Sequence, residues 1–155
     1  MGAVHPRVLG FLGRALSLEL SAVQQYMTQA SLVELWGQPE AAIRFRRDTV
    51  EEMQHAERIV QRMLALGVAP GASQLRPVDT AADLAGLLRI DAALEGDLIQ
   101  HYADAVRFCA LIADTENETF FRALWQEEHQ HGEELALWQR ELAHGPRALE
   151  ARASF

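Results

Sequence analysis

The chain of 155 residues has a single cysteine, Cys109. One cysteine excludes an intrachain disulfide, which fits a reducing compartment. No run of about 18 uncharged apolar residues is present, so we expect no membrane span. Arg14 and Glu19 interrupt the apolar N-terminal stretch, and no small-residue cleavage pattern follows. We therefore expect no signal peptide and a cytoplasmic protein.

Basic residues are also scarce, with 14 Lys and Arg against 22 Asp and Glu, for a formal net charge of −8. No basic run exists to neutralise phosphates, which argues against nucleic acid as the main partner. An acidic protein attracts cations, although the same charge also serves simple solubility. The hydrophobic fraction of 49% and the length suit one globular domain spanning residues 1–155.

Apolar residues recur with a period near 3.6 in four long segments, which predicts an all-α protein. Thr80 with Asp83, and Thr115 with Glu118, have the spacing of capping boxes and predict the starts of the third and fourth helices. Gly67 is predicted to end the second helix, and Pro146 to open a short fifth one. The predicted helices run from about Pro6 to Trp36, Pro39 to Leu66, Thr80 to Ile112, Thr115 to Gly145 and Pro146 to Ser154.

The segment from Val68 to Asp79 contains Pro70, Gly71 and Pro77 and has no periodicity. Twelve extended residues span at most about 40 Å. A helix of about 27 residues is equally long, so this segment can run the full length of a bundle. We therefore predict a four-helix bundle with one long crossover, in which the third helix lies parallel to the second.

Two Glu-x-x-His motifs occupy separate predicted helices: Glu52-Met53-Gln54-His55 and Glu128-His129-Gln130-His131. Residues i and i+3 share a helix face, so each motif presents one carboxylate and one imidazole together. Glu19 and Glu95 are lone acids on the apolar stripes of the other two helices. Four buried carboxylates would repel one another unless cations neutralise them. This donor set suits iron or manganese, and it is the set known from di-iron helical bundles.

A single Glu-x-x-His motif often arises by chance on a solvated helix face. Two such motifs together with two acids on buried stripes favour a metal site. His129 is expected on the surface, because it points about 100° away from Glu128. Glu51 and Glu127 are either part of a path for metal ions or ordinary exposed acids.

The chain resembles bacterioferritin over nearly its whole length, from Leu12 to about Leu142. The resemblance rests on the two motifs with their flanking residues, on Leu18 to Ala22 with Gln25-Tyr26, on Trp36-Gly37, and on Asp91 to Glu95. The ligand spacings of 33, 3, 40, 33 and 3 residues look like those of the family. The resemblance implies a catalytic di-iron centre with Glu19 and His55 on one iron, Glu95 and His131 on the other, and Glu52 and Glu128 bridging. It also implies that Tyr26 supplies an electron.

The resemblance further implies that Met53 ligates haem b, with one methionine from each subunit of a twofold dimer. Without the family, Met53 would be interpreted as interface packing. Such dimers would assemble into a hollow shell of 24 subunits. Fe(II) and either O₂ or H₂O₂ would be the substrates, and a ferredoxin would release the stored iron. Arg46 and Arg47 depart from the family pattern, where an aromatic residue and a histidine are usual.

The sequence therefore predicts iron storage and detoxification, with ferroxidase activity at the di-iron centre. One alternative is a di-iron peroxidase or oxidase of the rubrerythrin type, although the four-cysteine rubredoxin module is missing. A second alternative is a non-catalytic helical protein that binds haem or a partner. Metal content separates the second alternative from the other two functions, and oligomer size separates storage from peroxidase.

Overall fold

The computed structural model describes residues 3–145. Four helices and no strands make up this part of the chain: α1 (Pro6–Leu35), α2 (Pro39–Ala65), α3 (Leu84–Leu111) and α4 (Thr115–His144). The prediction of an all-α four-helix bundle is therefore confirmed. The predicted fifth helix, Pro146 to Ser154, lies outside the described residues. None of the described helices combines the length and apolar content that a bilayer crossing needs.

Two helix starts differ from the predicted capping boxes. Helix α3 starts at Leu84, four residues after Thr80, because the Asp83 side chain is itself the N-cap and accepts the Gly86 N–H at 2.8 Å. Helix α4 does start at Thr115, but Asp114 is its N-cap and accepts the Asn117 N–H. In both places a carboxylate satisfies free amides of the first turn, as favoured at N-caps.

Three helices end in the same hydrogen-bonded motif. At the end of α2, the Val68 N–H donates to Met63 O at 2.9 Å, and the Gly67 N–H donates to Leu64 O at 3.0 Å. This pattern requires a left-handed residue, and Gly67 has a φ of 82°. Gly37 is the left-handed residue after α1, whereas Ala113, with a φ of 58°, is the left-handed residue after α3.

The crossover between α2 and α3 lies along α1, held by three side chains spaced four residues apart. The Gln74 and Arg76 amides donate to the hydroxyls of Ser17 and Ser21 at 3.1 and 3.0 Å. Gln25 both donates to the Asp79 carbonyl and accepts from its amide. The crossover therefore runs along the bundle, and α3 is parallel to α2 and antiparallel to α1.

Two apolar clusters fill the bundle on either side of a polar middle. The larger one packs Leu12, Tyr102 and Phe121 near one end, and the smaller one packs Phe45, Leu87 and Trp138 near the other. Each fully buried large apolar side chain stabilises the fold by about 1.5–3 kcal/mol. These clusters fix the helix positions between which the polar side chains of α2 and α4 meet.

Candidate metal centre

The structure brings all six predicted ligands together at the middle of the bundle. They form two groups of four whose donor atoms lie within 4.8 Å of one another. One group contains Glu19 and His55, the other contains Glu95 and His131, and both groups share Glu52 and Glu128. Two cations can therefore bind side by side, with the shared carboxylates between them.

The side chains of the six candidate ligands are buried, and several of their oxygen and nitrogen atoms have no hydrogen-bond partner. The four glutamates are at most 1% exposed, and the two histidines are 7% and 8% exposed. Buried polar atoms are normally hydrogen-bonded, so orphaned ones require a reason. The candidate ligand atoms without a hydrogen-bond partner are Glu19 Oε2, both Glu52 oxygens, Glu95 Oε2, Glu128 Oε2 and His131 Nδ1, the last of which is close to Glu95 Oε1 but outside hydrogen-bond geometry. Oxygen and imidazole donors left free in this way fit a pair of iron ions.

The first position is built around the Nδ1 atom of His55. It lies 2.8 Å from Glu128 Oε1, 3.4 Å from Glu19 Oε1 and 3.8 Å from Glu52 Oε1. Behind the ring, His55 Nε2 lies 3.8 Å from Glu127, an exposed acid that is paired with Arg58.

The second position repeats this arrangement around the Nδ1 atom of His131. It lies 3.0 Å from Glu95 Oε1, 3.4 Å from Glu52 Oε1 and 3.9 Å from Glu128 Oε2. Behind the ring, His131 Nε2 lies 3.3 Å from Asp48, which is only 14% exposed. A carboxylate behind a ligand histidine fixes the orientation of the ring and raises its basicity. Sequence reasoning missed Asp48, which precedes the Glu52 motif by one helical turn.

Two tyrosines reach the centre from opposite sides. The Tyr26 hydroxyl donates a hydrogen bond to Glu95, and the Tyr102 hydroxyl donates to Glu19 Oε1 at 2.6 Å. Tyr26 was predicted at the site, whereas Tyr102 was not. A repeat in the sequence could have identified Tyr102. Each candidate ligand on α1 and α2 has a counterpart 76 residues later on α3 and α4, and the same offset relates Tyr26 to Tyr102.

The metal-free centre holds protons that a cation would displace. Burial raises the pKa of Glu95 to about 8, and the nearby Glu128 charge acts in the same direction. Burial and the charges of Glu19 and Glu128 raise the pKa of Glu52 well above its usual range. Burial alone would lower the pKa of His55, but hydrogen bonds to Glu128 and Glu19 raise it to about 10. Metal binding therefore releases protons and should strengthen as the pH rises.

An open acidic groove of about 880 Å³ leads to the two histidines between α2 and α4. Glu51, Glu57 and Glu134 are among its lining residues, and Glu127 in its wall is held by Arg58 at 2.6 Å. Glu51, Asp48 and His131 form a third cluster of possible metal donors at this side. His129 lies away from the centre, stacked on Trp125.

Met53 points away from the centre, and its side chain is 54% exposed on α2. Val50 and Leu64 on the same helix, and Met27 on α1, are also more than half exposed. Arg46, near this surface, pairs with Glu34 of α1. The structure thus leaves an exposed thioether on a partly apolar face.

Known proteins resemble the chain in both sequence and structure. Residues 10–143 match the family described as Ferritin, the ferritin-like domain. Bacterioferritin from Rhodobacter capsulatus is 34% identical over 125 residues, which cover 81% of this chain and 78% of that protein. Bacterioferritin from Mycolicibacterium paratuberculosis is 29% identical over 126 residues, covering 81% and 79%.

A solved structure of the Rhodobacter capsulatus bacterioferritin superposes with a TM-score of 0.88 at 31% identity, covering 94% of this chain and 92% of that one. That structure is described as having a metal-free dinuclear site and a heme iron in a crystallographic special position. The chain accordingly belongs to the ferritin family and, within it, to the bacterioferritins.

Proposed function

We propose that this protein stores iron in the cytoplasm by oxidising Fe(II) at the paired metal centre and collecting the Fe(III) inside a hollow shell. The observation that carries the proposal is the pair of shared carboxylates. Glu52 and Glu128 have three buried oxygens without a partner, and each of these residues belongs to both four-donor groups. Cations at the two positions would satisfy these atoms and cancel the repulsion between the acids.

The residues have distinct roles in this proposal. Glu19 with His55, and Glu95 with His131, hold one Fe(II) each, and the shared glutamates fix the distance between the two ions. The anionic donors stabilise the ferric state, so they favour the loss of one electron from each ion to dioxygen or peroxide. Tyr26, which is hydrogen-bonded to Glu95, would supply a further electron.

Iron reaches and leaves the centre through the acidic groove in this proposal. Its acidic side chains attract a cation, and the groove opens directly onto His55 and His131. Storage also requires an enclosed space, which the family resemblance supplies as a shell of 24 subunits built from twofold dimers. A ferredoxin would return electrons when the iron is released.

The first prediction removes both shared ligands. We expect Glu52→Ala combined with Glu128→Ala to abolish the fast phase of Fe(II) oxidation, because both positions lose a bridging donor. The loss should exceed the 10–100-fold effect that is typical for a group behind a ligand. Stopped-flow absorbance after mixing Fe(II) with the aerobic protein measures it.

The matched control is Glu40→Ala combined with Glu133→Ala, which removes two exposed acids from the same helices. This control should oxidise iron like the wild type. Circular dichroism should show both variants to be helical. An unchanged fast phase in the Glu52/Glu128 variant would eliminate the di-iron assignment, and sedimentation only as a 17.3 kDa species would eliminate the shell.

A haem b group bound by Met53 is the second part of the proposal. A special position lies on a symmetry element, so the heme iron in the Rhodobacter capsulatus structure is shared by symmetry-related copies. Met53 fits such a site because its soft thioether is exposed on a partly apolar face. A bound haem would supply a one-electron carrier near the shell wall.

The second prediction tests this ligand directly. We expect the wild type reconstituted with haem to show bis-methionine absorption and near-infrared dichroism bands, and Met53→Leu to lose them. Leucine conserves the size and apolar character, so the face itself stays intact. Met27→Leu, on the neighbouring helix and equally exposed, is the matched control and should keep the bands. Equal spectra for wild type and Met53→Leu would remove Met53 from this role.

A further inference from the structure

The chain contains only two tyrosines, and both lie at the metal centre. Tyr26 is 1% exposed and Tyr102 is fully buried. The Tyr26 hydroxyl, on α1, donates to Glu95 on α3, and the Tyr102 hydroxyl, on α3, donates to Glu19 on α1. Glu19 and Glu95 each belong to one metal position only and are here called the terminal glutamates. Each metal position thus has one phenol hydrogen-bonded to its terminal glutamate.

We propose that Tyr102 is a second electron donor to dioxygen at this centre, equivalent to Tyr26. The inference rests on the proposed function, because Fe(II) and dioxygen are the co-reactants. Tyr102 satisfies each structural condition that supports the same role for Tyr26, namely burial, a single acceptor, and contact with a terminal ligand.

The two carboxylate oxygens of each terminal glutamate differ in their hydrogen bonding. Glu19 Oε1 accepts the Tyr102 phenol, while Glu19 Oε2 is buried without a partner. Glu95 repeats the division, with Oε1 bound to Tyr26 and Oε2 free. One oxygen is therefore available for a cation and the other for the phenolic proton. A phenol that loses an electron must also lose this proton, and here the acceptor is already in contact.

The electron count shows what a second phenol provides. Complete reduction of one O₂ to two waters takes four electrons and four protons. Two Fe(II) ions give two electrons, and two phenols give the other two. The two phenolic protons pass to Glu19 and Glu95, so all four protons for the two waters come from solvent. The products are two Fe(III), two phenoxyl radicals and two waters, and each radical is afterwards reduced by a further Fe(II) as the proton returns from the glutamate.

One phenol alone would leave this reaction one electron short. Two Fe(II) ions without any phenol can reduce O₂ only to hydrogen peroxide. A centre with two phenols can therefore complete the reduction without releasing peroxide, which protects a protein that handles Fe(II). The presence of Tyr102 predicts low peroxide release at two Fe(II) per chain.

The experiment compares wild type, Tyr26→Phe, Tyr102→Phe and the double variant after mixing with two Fe(II) per chain and O₂. Freeze-quench electron paramagnetic resonance measures the radical yield, and a peroxidase-coupled dye assay measures released peroxide. Ring-deuterated tyrosine separates tyrosyl signals from tryptophan signals. Phenylalanine keeps the buried ring, and spectroscopic titration with Co(II), which O₂ does not oxidise here, checks that each variant still binds two cations per chain.

We expect each single variant to lose about half of the tyrosyl signal and to release more peroxide than the wild type, and the double variant to show no tyrosyl signal. A Tyr102→Phe variant with the radical and peroxide yields of the wild type would overturn the inference, as would a wild type without any tyrosyl radical. If the wild type does not oxidise Fe(II) rapidly, the proposed function itself fails, which the stopped-flow trace shows separately.

Discussion

The two ends of the metal centre have the same ligands in different electrostatic surroundings. At one end, burial alone would raise the pKa of Glu19, but hydrogen bonds to His55, Glu52 and Glu128 together with the His55 charge lower it overall. At the other end, burial raises the pKa of Glu95 to about 8. Burial also raises the pKa of Asp91, one helical turn before Glu95, to about 8, and the charges of Glu95 and Asp48 add to this shift.

The difference lies in the residues around the ligands. Behind His55 stands Glu127, whose charge is exposed and neutralised by Arg58. Behind His131 stands Asp48, which is only 14% exposed and has no Arg or Lys side chain paired to it among the described salt bridges. The Glu95–His131 end therefore concentrates negative charge, which the metal-free protein neutralises with protons. We expect this end to gain more from a cation, and its metal binding to depend more on pH.

The largest expected effect comes from neutralising each terminal glutamate in the metal-free protein. The raised pKa of Glu95 contributes stability that is fully present below pH 4.5 and is lost as the pH rises through about 8. Glu95→Gln should therefore raise the melting temperature at pH 8 by several degrees, and at pH 4 it should match the wild type. The amide that replaces the carboxyl group keeps a carbonyl oxygen as acceptor for the Tyr26 hydroxyl.

The matched variant, Glu19→Gln, should act in the opposite direction. The lowered pKa of Glu19 contributes stability that is present above the unfolded value of 4.5 and is lost as the pH falls. This substitution should therefore lower the melting temperature at pH 8. Calorimetry of both variants after chelation measures the contrast. Equal shifts of the same sign would show that the two ends are electrostatically alike.

A smaller effect is expected from the acids behind the two histidines. Asp48→Asn should weaken Co(II) binding at one of the two positions by about 10–100-fold, because the His131 ring loses its orienting carboxylate. Glu127→Gln should change affinity by less than about fivefold, as expected for an exposed ion pair worth under about 1 kcal/mol. Titration followed by visible absorption resolves the two positions, and equal effects of the two variants would contradict the asymmetry.

The smallest effect concerns the helix ends of the two halves. The α1–α2 half ends both of its helices with glycine, whereas α3 is followed by Ala113 at a φ of 58°. A left-handed alanine costs about 1 kcal/mol relative to a relaxed backbone. Ala113→Gly should therefore stabilise the protein by up to about 1 kcal/mol, and Gly67→Ala should destabilise it by a similar amount. Urea unfolding measures the free energy of unfolding of both variants. A destabilised Ala113→Gly variant would show that the backbone at Ala113 is not strained.

The sequence was sufficient to predict the bundle and the clustering of the six candidate ligands, because both depend on helical periodicity. Glu52 and His55 share a face wherever the helix begins, so errors at helix ends do not matter there. The start of α3 was predicted wrongly, since Asp79 binds the side chain of Gln25 and Asp83 takes the capping position. These contacts cross 54 residues or depend on local φ and ψ values, which periodicity does not encode. Asp48 was missed because its importance arises from His131 on another helix, whereas the offset of 76 residues from Tyr26 could have identified Tyr102.

The hydrogen bonds between the crossover and α1 have a consequence for the order of folding. The amides of Gln74, Arg76 and Asp79 find their acceptors only on Ser17, Ser21 and Gln25, 54–57 residues earlier in the chain. These acceptors are aligned only once α1 is helical, and contacts so distant in sequence carry a high entropic cost of closure. Helix α1 must therefore be formed before the crossover has a surface to follow. The crossover in turn delivers α3 in the direction parallel to α2, so α1 acts as the template against which the second half of the metal centre is assembled.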